Sequence, residues 1–260
     1  MSGLRATFIW YELMTTDAAA AEAFYREVVG WSARDAGVPG MAYTMLSAGD
    51  AGVGGIMTLP EAAREAGARP GWIGYVAIDN IDANAARVAE AGGAVHRAPA
   101  DIPGVGRFAI VADPQGATFA LFRGAAESEG QAPAPGKPGH VGWHELYAAD
   151  REAAFAFYSE MFGWEKADAL DMGPMGIYQI FSLNGTMLGG MMTKPEAVPA
   201  PSWLYYFNVD GIELAKSRVE AGGGTILMGP QEVPGGSWIV QGRDPQGAMF
   251  ALLAPRRLAD

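Results

Sequence analysis

Residues 7–14 are β-prone and alternate, so that Phe8, Trp10, Glu12 and Met14 share one face while Ile9, Tyr11 and Leu13 share the other. The period then changes. Ala20, Ala21, Phe24, Tyr25 and Val28 fall at helical spacing, which predicts a strand followed by an amphipathic helix. Asp17 stands where an N-cap belongs and Gly30 where the helix must stop. Short apolar runs at 41–47 and 52–59 predict further strands. The plan then recurs with a strand at 72–78 and a helix bearing Ala85, Val88 and Ala89. Asp79 or Asp82 is expected to cap that helix and Gly92-Gly93 to close it. Strands are expected near 94–97, 106–112 and 117–122, with Asp113-Pro114-Gln115-Gly116 as the turn between the last two.

This pattern occurs twice. "WYELMTTDAAAAEAFYREVVGW" (10–31) is matched without a gap by "WHELYAADREAAFAFYSEMFGW" (143–164). "GGIM" (54–57) is answered by "GGMM" (189–192), "PGWIGYVAIDNIDANAARVAEAGGAV" (70–95) by "PSWLYYFNVDGIELAKSRVEAGGGTI" (201–226), and "DPQGATFALF" (113–122) by "DPQGAMFALL" (244–253). The copies keep their order, which identifies a duplication. Between them, 124–139 is rich in Ala, Pro and Gly and has no apolar period, as a linker would be. The expected domains are 4–123 and 140–255. Each is read as a pair of βαβββ modules, an α+β architecture.

Composition narrows the chemistry. A formal net charge of -11 disfavours nucleic acid and anionic membrane surfaces as partners. The chain has no cysteine, which excludes disulfides, thiolate ligands and a Cys nucleophile. No apolar run reaches the roughly 18 residues of a membrane span, and Glu12 interrupts the only apolar stretch near the N-terminus. A cytoplasmic protein is expected. The "GVGG" and "GGG" runs are too short and badly placed for a phosphate loop.

The strands ending in "TTD" and "AAD", the "FYREVVGW" and "FYSEMFGW" segments, "VAEAGG" and "VEAGGG", and the two "DPQG" turns resemble the vicinal oxygen chelate superfamily, which includes glyoxalase I, extradiol dioxygenases and bleomycin resistance proteins. The resemblance covers nearly the whole chain. It implies that paired βαβββ modules curve into a cupped mixed sheet around one cavity per domain. It also implies places for a divalent metal. The first ligand position falls on Trp10 and Trp143, and the next near Ile73 or Trp72 and Leu204 or Trp203. Another falls at Ile56–Met57 or Met191–Met192, and the last on Ala120 and Ala251. Indole and alkyl groups offer no lone pair, and thioethers suit soft metals. A one-residue slip would turn each side chain to the other face. No metal and no other cofactor is therefore expected. His96, His140 and His144 are read as structural or surface residues.

What remains on the implied cavity faces is aromatic and sulfur-rich. Trp10, Glu12, Met14, Met57 and Trp72 in one half, and Trp143, Glu145, Tyr147, Met192 and Trp203 in the other, are the candidate ligand-binding residues. Glu12 and Glu145 are the only catalytic candidates. A carboxylate there is costly unless paired. It would act as a base or a ligand anchor, or pair structurally with an arginine such as Arg107 or Arg243. The expected function is metal-independent binding of a small apolar or aromatic molecule. The alternatives are a lyase- or isomerase-type glyoxalase-like enzyme using Glu12, Glu145 or an unrecognised metal site, and a scaffold with vestigial cavities. Two domains in one chain allow a monomer or a homodimer.

Overall fold

The computed structural model describes residues 5–38, 40, 42–125 and 136–255. The expected start of the first domain at residue 4 and the linker stretch 126–135 lie outside the described residues. Four βαβββ segments follow one another. The first is β1 (Phe8–Thr15), α1 (Ala18–Val29), β2 (Ser32–Asp35), β3 (Tyr43–Ala48) and β4 (Ala51–Thr58), trailed by the short α2 (Glu61–Glu65). The second is β5 (Gly71–Ala77), α3 (Ile81–Glu90), β6 (Ala94–Ile102), β7 (Gly106–Ala112) and β8 (Thr118–Gly124). The third is β9 (Val141–Ala148), α4 (Arg151–Phe162), β10 (Glu165–Asp171), β11 (Ile177–Leu183) and β12 (Thr186–Thr193). The fourth is β13 (Ser202–Asn208), α5 (Ile212–Ala221), β14 (Thr225–Glu232), β15 (Trp238–Arg243) and β16 (Met249–Ala254).

The strands form two eight-stranded mixed sheets, ordered β2-β3-β4-β1-β5-β8-β7-β6 and β10-β11-β12-β9-β13-β16-β15-β14. The fold is α+β. The helix ends follow the sequence signals. Asp17 Oδ1 accepts from the Ala20 amide at 3.0 Å, Asp150 Oδ1 accepts from Ala153 at 3.1 Å, and Gly30 and Gly163 end their helices in the left-handed region. For α3 the cap is Asn80 rather than Asp79 or Asp82, because the Asn80 side chain reaches the Ala83 amide at 3.0 Å. The edge strand β2, "SARD", was not foreseen: it is polar and mostly exposed, so no apolar period marks it. β6 runs past its expected end at 97 to Ile102 through an exposed, register-shifted stretch.

Backbone proximity groups the segments differently from the sheets. Among the described residues one compact unit holds 5–10, 74–125 and 143–204, and the other holds 11–73, 136–142 and 205–255. In the first, Trp203 Nε1 donates to the Tyr158 hydroxyl at 3.0 Å, and that hydroxyl donates to Asp113 Oδ2 at 3.0 Å. In the second, Trp72 donates to Tyr25 at 2.9 Å and Tyr25 to Asp244 Oδ2 at 3.1 Å. The other oxygen of each aspartate accepts two amides of its own turn: Gln115 and Ala117 for Asp113, and Gln246 and Ala248 for Asp244. Each "FY" segment is thus tied to a "DPQG" turn of the other sequence half. Burial pushes both aspartates above the ordinary carboxylate range, against the pull of these hydrogen bonds. Rings close around each relay: Phe119, Phe162 and Trp164 around Tyr158, and Trp31, Phe24 and Phe250 around Tyr25. Burying a side chain of phenylalanine size contributes about 2–3 kcal/mol, so these clusters are a main source of cohesion in each unit.

Candidate functional site

The sheet face away from the helices is set by register. β12 runs parallel to β9 with Gly190 opposite Glu145, Met191 opposite Leu146 and Met192 opposite Tyr147. Leu146 and Met191 are fully buried on the helix side, which leaves Glu145, Tyr147, Gly190 and Met192 on the other. Trp143 joins them by alternation and is half-buried, as is Tyr147. From β11, the Tyr178 ring lies across Gly190, where a Cβ would fall inside the ring. Any residue but glycine would push the ring off the strand.

These groups are hydrogen-bonded in sequence. Trp143 Nε1 donates to the Tyr178 hydroxyl at 2.7 Å, and that hydroxyl donates to Glu145 Oε2 at 3.1 Å. Burial, then the adjacent carboxylate, holds the Tyr178 hydroxyl well above its ordinary pKa, so it stays a donor at neutral pH. Glu145 is only 7% exposed. The arrangement is a carboxylate held by a phenol, on a face otherwise made of rings and a thioether.

The first half repeats the register. β4 runs parallel to β1 with Gly55 opposite Glu12, Leu13 beside Ile56 and Met14 beside Met57. Leu13 and Ile56 are fully buried on the helix side, and Glu12 is 7% exposed. The Tyr43 ring lies over Gly55 as Tyr178 does over Gly190. Trp10 precedes Glu12 by two residues on the same strand.

The structure therefore brings Glu12, Met14 and Met57 onto one face, and Trp143, Glu145, Tyr147 and Met192 onto another. It does not bring Trp72 or Trp203 to these faces. Both are buried on the helix side, where their indole N–H groups reach Tyr25 and Tyr158. A buried indole needs an acceptor, and the helix tyrosines supply one. Phe8 also departs from expectation: it stacks on His144 at 4.4 Å and packs near Trp164 and Trp203, so strict alternation holds only from Tyr11 onward. The suggested arginine partner for the glutamates is not Arg107, which pairs with Asp82 and Asp101.

The sequence reading missed Tyr43, Tyr178, Gly55 and Gly190. The signal was present in "YTML" against "YQIF" and in the recurring "GG". Tyrosine on a strand reads as ordinary β composition, however, and its hydroxyl partner lies two strands away. His144 is where expected, off the cavity face and buried, with Nδ1 2.6 Å from the Leu188 carbonyl. That contact requires the Nδ1–H tautomer.

A small surface cleft of about 140 Å³ lies among Asp150, Arg151, Glu152, Met175, Gly176, Ile177 and Thr193. It is well below the few hundred Å³ of a typical ligand pocket, and Arg151 and Lys166 already engage its Glu152.

The residues at the metal positions of the resembled superfamily do not fit such a metal. Ala120 and Ala251 are fully buried methyls. Their sheet neighbours are Tyr75 and Ile110 for Ala120, and Tyr206 and Gln241 for Ala251. Gln241 donates to the Tyr206 hydroxyl at 2.7 Å. Among the described residues, no three of His, Cys, Asp or Glu gather where they could hold an ion. No helix among them is long and apolar enough to cross a membrane.

Comparison with known proteins agrees with this architecture. CFP32 of Mycobacterium tuberculosis, which carries a glyoxylase name, is 31% identical over 248 residues, covering 95% of this chain and 94% of that one. The anthracycline biosynthesis protein DnrV of Streptomyces peucetius is 32% identical over 263 residues, covering 95% and 92%. Among solved structures, the Mn(II)-bound glyoxalase of Novosphingobium aromaticivorans superposes with a TM-score of 0.67 at 18% identity, covering 98% of this chain and 84% of that one. That likeness is one of fold. The model of the Glyoxalase/Bleomycin resistance protein/Dioxygenase superfamily matches twice, over residues 7–121 and 137–252, and those two matches are the two sheets described above. With its duplicated βαβββ segments matched over both halves, the chain belongs to this superfamily.

Proposed function

We propose that this protein binds a small apolar or aromatic molecule on its open sheet faces, without a divalent metal. The observation that carries the reading is the face of β9, β11 and β12. There Trp143, Tyr147, Tyr178 and Met192 surround a carboxylate fixed by a tyrosine hydroxyl. Apolar walls with a few placed polar groups are what a small-molecule site requires. The rings of Trp143, Tyr147 and Tyr178 are half-buried, whereas Leu146 and Met191 on the helix-side face are fully buried. That difference favours a usable surface over a vestigial one. The name of DnrV, an anthracycline biosynthesis protein, points to flat aromatic compounds for that relative and supports the same ligand class here.

The test is a thermal-shift screen of chelator-treated protein against flat aromatic compounds, with metal analysis of the untreated protein. A ligand of the native state raises the melting temperature by mass action, and the rise should vanish in Trp143→Ala. Stoichiometric divalent metal retained through gel filtration, or a rise that disappears with chelator, overturns the metal-independent reading.

A second reading draws on the glyoxylase name of CFP32. Glu145 would then move a proton on a bound carbonyl compound, with Tyr178 holding it in place. Turnover of such a compound by chelated wild-type protein, lost in Glu145→Gln, would favour it.

A further inference from the structure

The second βαβββ segment also turns one sheet face away from its helices. Leu121 pairs with Val76 and Ala109, and Phe119 with Val111. All five are fully buried, and Phe119 packs on Tyr158 and Phe162 of α4. Alternation puts Tyr75, Ala120, Phe122, Phe108 and Ile110 on the other side, in register across β5, β8 and β7. Phe122 and Ile110 are half-buried there. From the edge strand β6, Arg97 stands opposite Ile110, and its guanidinium lies over the Phe108 ring, 4.7 Å from the ring centre.

An arginine resting on a ring is common surface packing. Two observations take this one further. Among the described residues its guanidinium meets no carboxylate, whereas Arg107 on the neighbouring strand is held by Asp82 and Asp101. The duplicated face, moreover, has diverged as a group. The repeat matches before and after this stretch keep one offset, so each position has a counterpart in the other half. Tyr75 and Ala120 are kept as Tyr206 and Ala251. Arg97, Phe108, Phe122 and Ile110 become Met228, Ile239, Leu253 and Gln241, in the same pairing. The guanidinium, the buried ring beneath it and the half-buried ring beside that one are exchanged together. Solvating an arginine requires neither ring, so the joint exchange points to a shared use.

The chemistry selects a ligand. A guanidinium only donates hydrogen bonds, so the group that meets it must accept. Its planar fork matches a carboxylate with two parallel contacts. The half-buried Phe122 and Ile110 offer a flat apolar floor. The net charge of -11 repels anions at a distance, so a preference for an anion must come from contact with Arg97.

We infer that the face of β5, β8, β7 and β6 takes a flat aromatic carboxylate, with its acid on Arg97 and its ring against Phe122 and Ile110. Phe108 holds the guanidinium in place. This inference rests on the small-molecule reading above and names a ligand class for one face. The probes are 2-naphthoate and its uncharged counterpart 2-naphthamide, titrated calorimetrically into the full chain. The carboxylate should bind at least about tenfold more tightly, a ratio set by one charge-assisted contact. Arg97→Met installs the residue of the other half. It should abolish the preference and leave 2-naphthamide binding unchanged. Arg97→Lys keeps the charge without the fork and should restore part of the preference. Phe122→Leu should weaken both probes alike. Circular dichroism of each variant confirms that it is folded.

Equal binding of the two probes by the wild type, or a preference that survives Arg97→Met, overturns the carboxylate assignment. So does failure of both probes to bind. Trp143 stands in the other sheet, so the thermal-shift screen and its Trp143→Ala control judge the small-molecule reading separately. A hit there keeps that reading standing when this assignment falls, and a blank screen beside two silent probes ends both.

Discussion

Two relays in this chain share one chemistry and differ in what surrounds them. In each an indole N–H donates to a phenol, and the phenol donates to a carboxylate. Trp203–Tyr158–Asp113 is closed on every side: Asp113 also accepts two turn amides, and rings pack around Tyr158. Trp143–Tyr178–Glu145 stands on an open sheet face, with Trp143 and Tyr147 half-exposed and a glycine beneath the tyrosine. The closed relay joins a helix to a turn from the other sequence half and so belongs to stability. The open one joins β9 to β11 across β12, within one sheet that backbone hydrogen bonds already hold. An indole–phenol–carboxylate chain therefore does not define a role; the two differ at the indole end, where Trp203 is buried and Trp143 is half-buried.

The sharpest way to break this contrast is to remove the two carboxylates separately. Asp113→Ala strands two turn amides and the Tyr158 hydroxyl in the core. At about 1–3 kcal/mol for each buried unsatisfied group, a loss of about 3–5 kcal/mol is expected, read as a fall in the urea midpoint. Asp244→Ala should match it, because its relay is the same. Equal losses for Glu145→Ala and Asp113→Ala would remove the distinction.

His144 lies between these extremes, on β9 beside Glu145 but facing the core. Burial lowers its pKa from 6.5 to about 4, although the Leu188 carbonyl pulls the other way. The folded value is depressed for a base, so the unfolded chain binds more protons between the two values. Stability from this residue is full above pH 6.5 and is lost as pH falls toward 4. The shift corresponds to about 3 kcal/mol. The urea midpoint should fall across this window, and His144→Phe, which keeps a ring against Phe8, should flatten that fall. Asp113 and Asp244, whose values are raised, act with the opposite sign as pH rises through them, so the wild-type minus His144→Phe difference isolates the histidine.

Much of this was legible in the sequence. The repeat, the N-cap at Asp17, the helix stop at Gly30 and the "DPQG" turns all report on local backbone geometry, and local geometry is what periodicity and turn chemistry encode. Glu12 with Met14 and Met57, and Glu145 with Tyr147 and Met192, followed from alternation because strand register carries it across β1, β4, β9 and β12. Trp72 and Trp203 did not follow. Each sits in an unbroken apolar strand, where nothing local says which face is inside, and what fixes them is a hydroxyl more than 40 residues away. Tyr178 was missed for a related reason: its meaning lies in Glu145 and Gly190, which pairing and not sequence brings near it.

The smallest expected effect is the most specific to the contrast. Tyr158→Phe and Tyr178→Phe each remove one hydroxyl and keep a ring. In the core, the first leaves the Trp203 N–H without its acceptor and Asp113 Oδ2 without its phenolic donor, and should cost about 1–2 kcal/mol. On the sheet face, the second leaves Trp143 half-exposed, where water can replace the phenol, and should cost under about 1 kcal/mol. Their rank in binding is reversed. Tyr158→Phe should leave aromatic-ligand affinity unchanged once the protein is folded, while Tyr178→Phe should lower it. Urea melts and ligand titrations of both variants give four numbers that must cross. Parallel changes would mean that the open relay is a second structural latch.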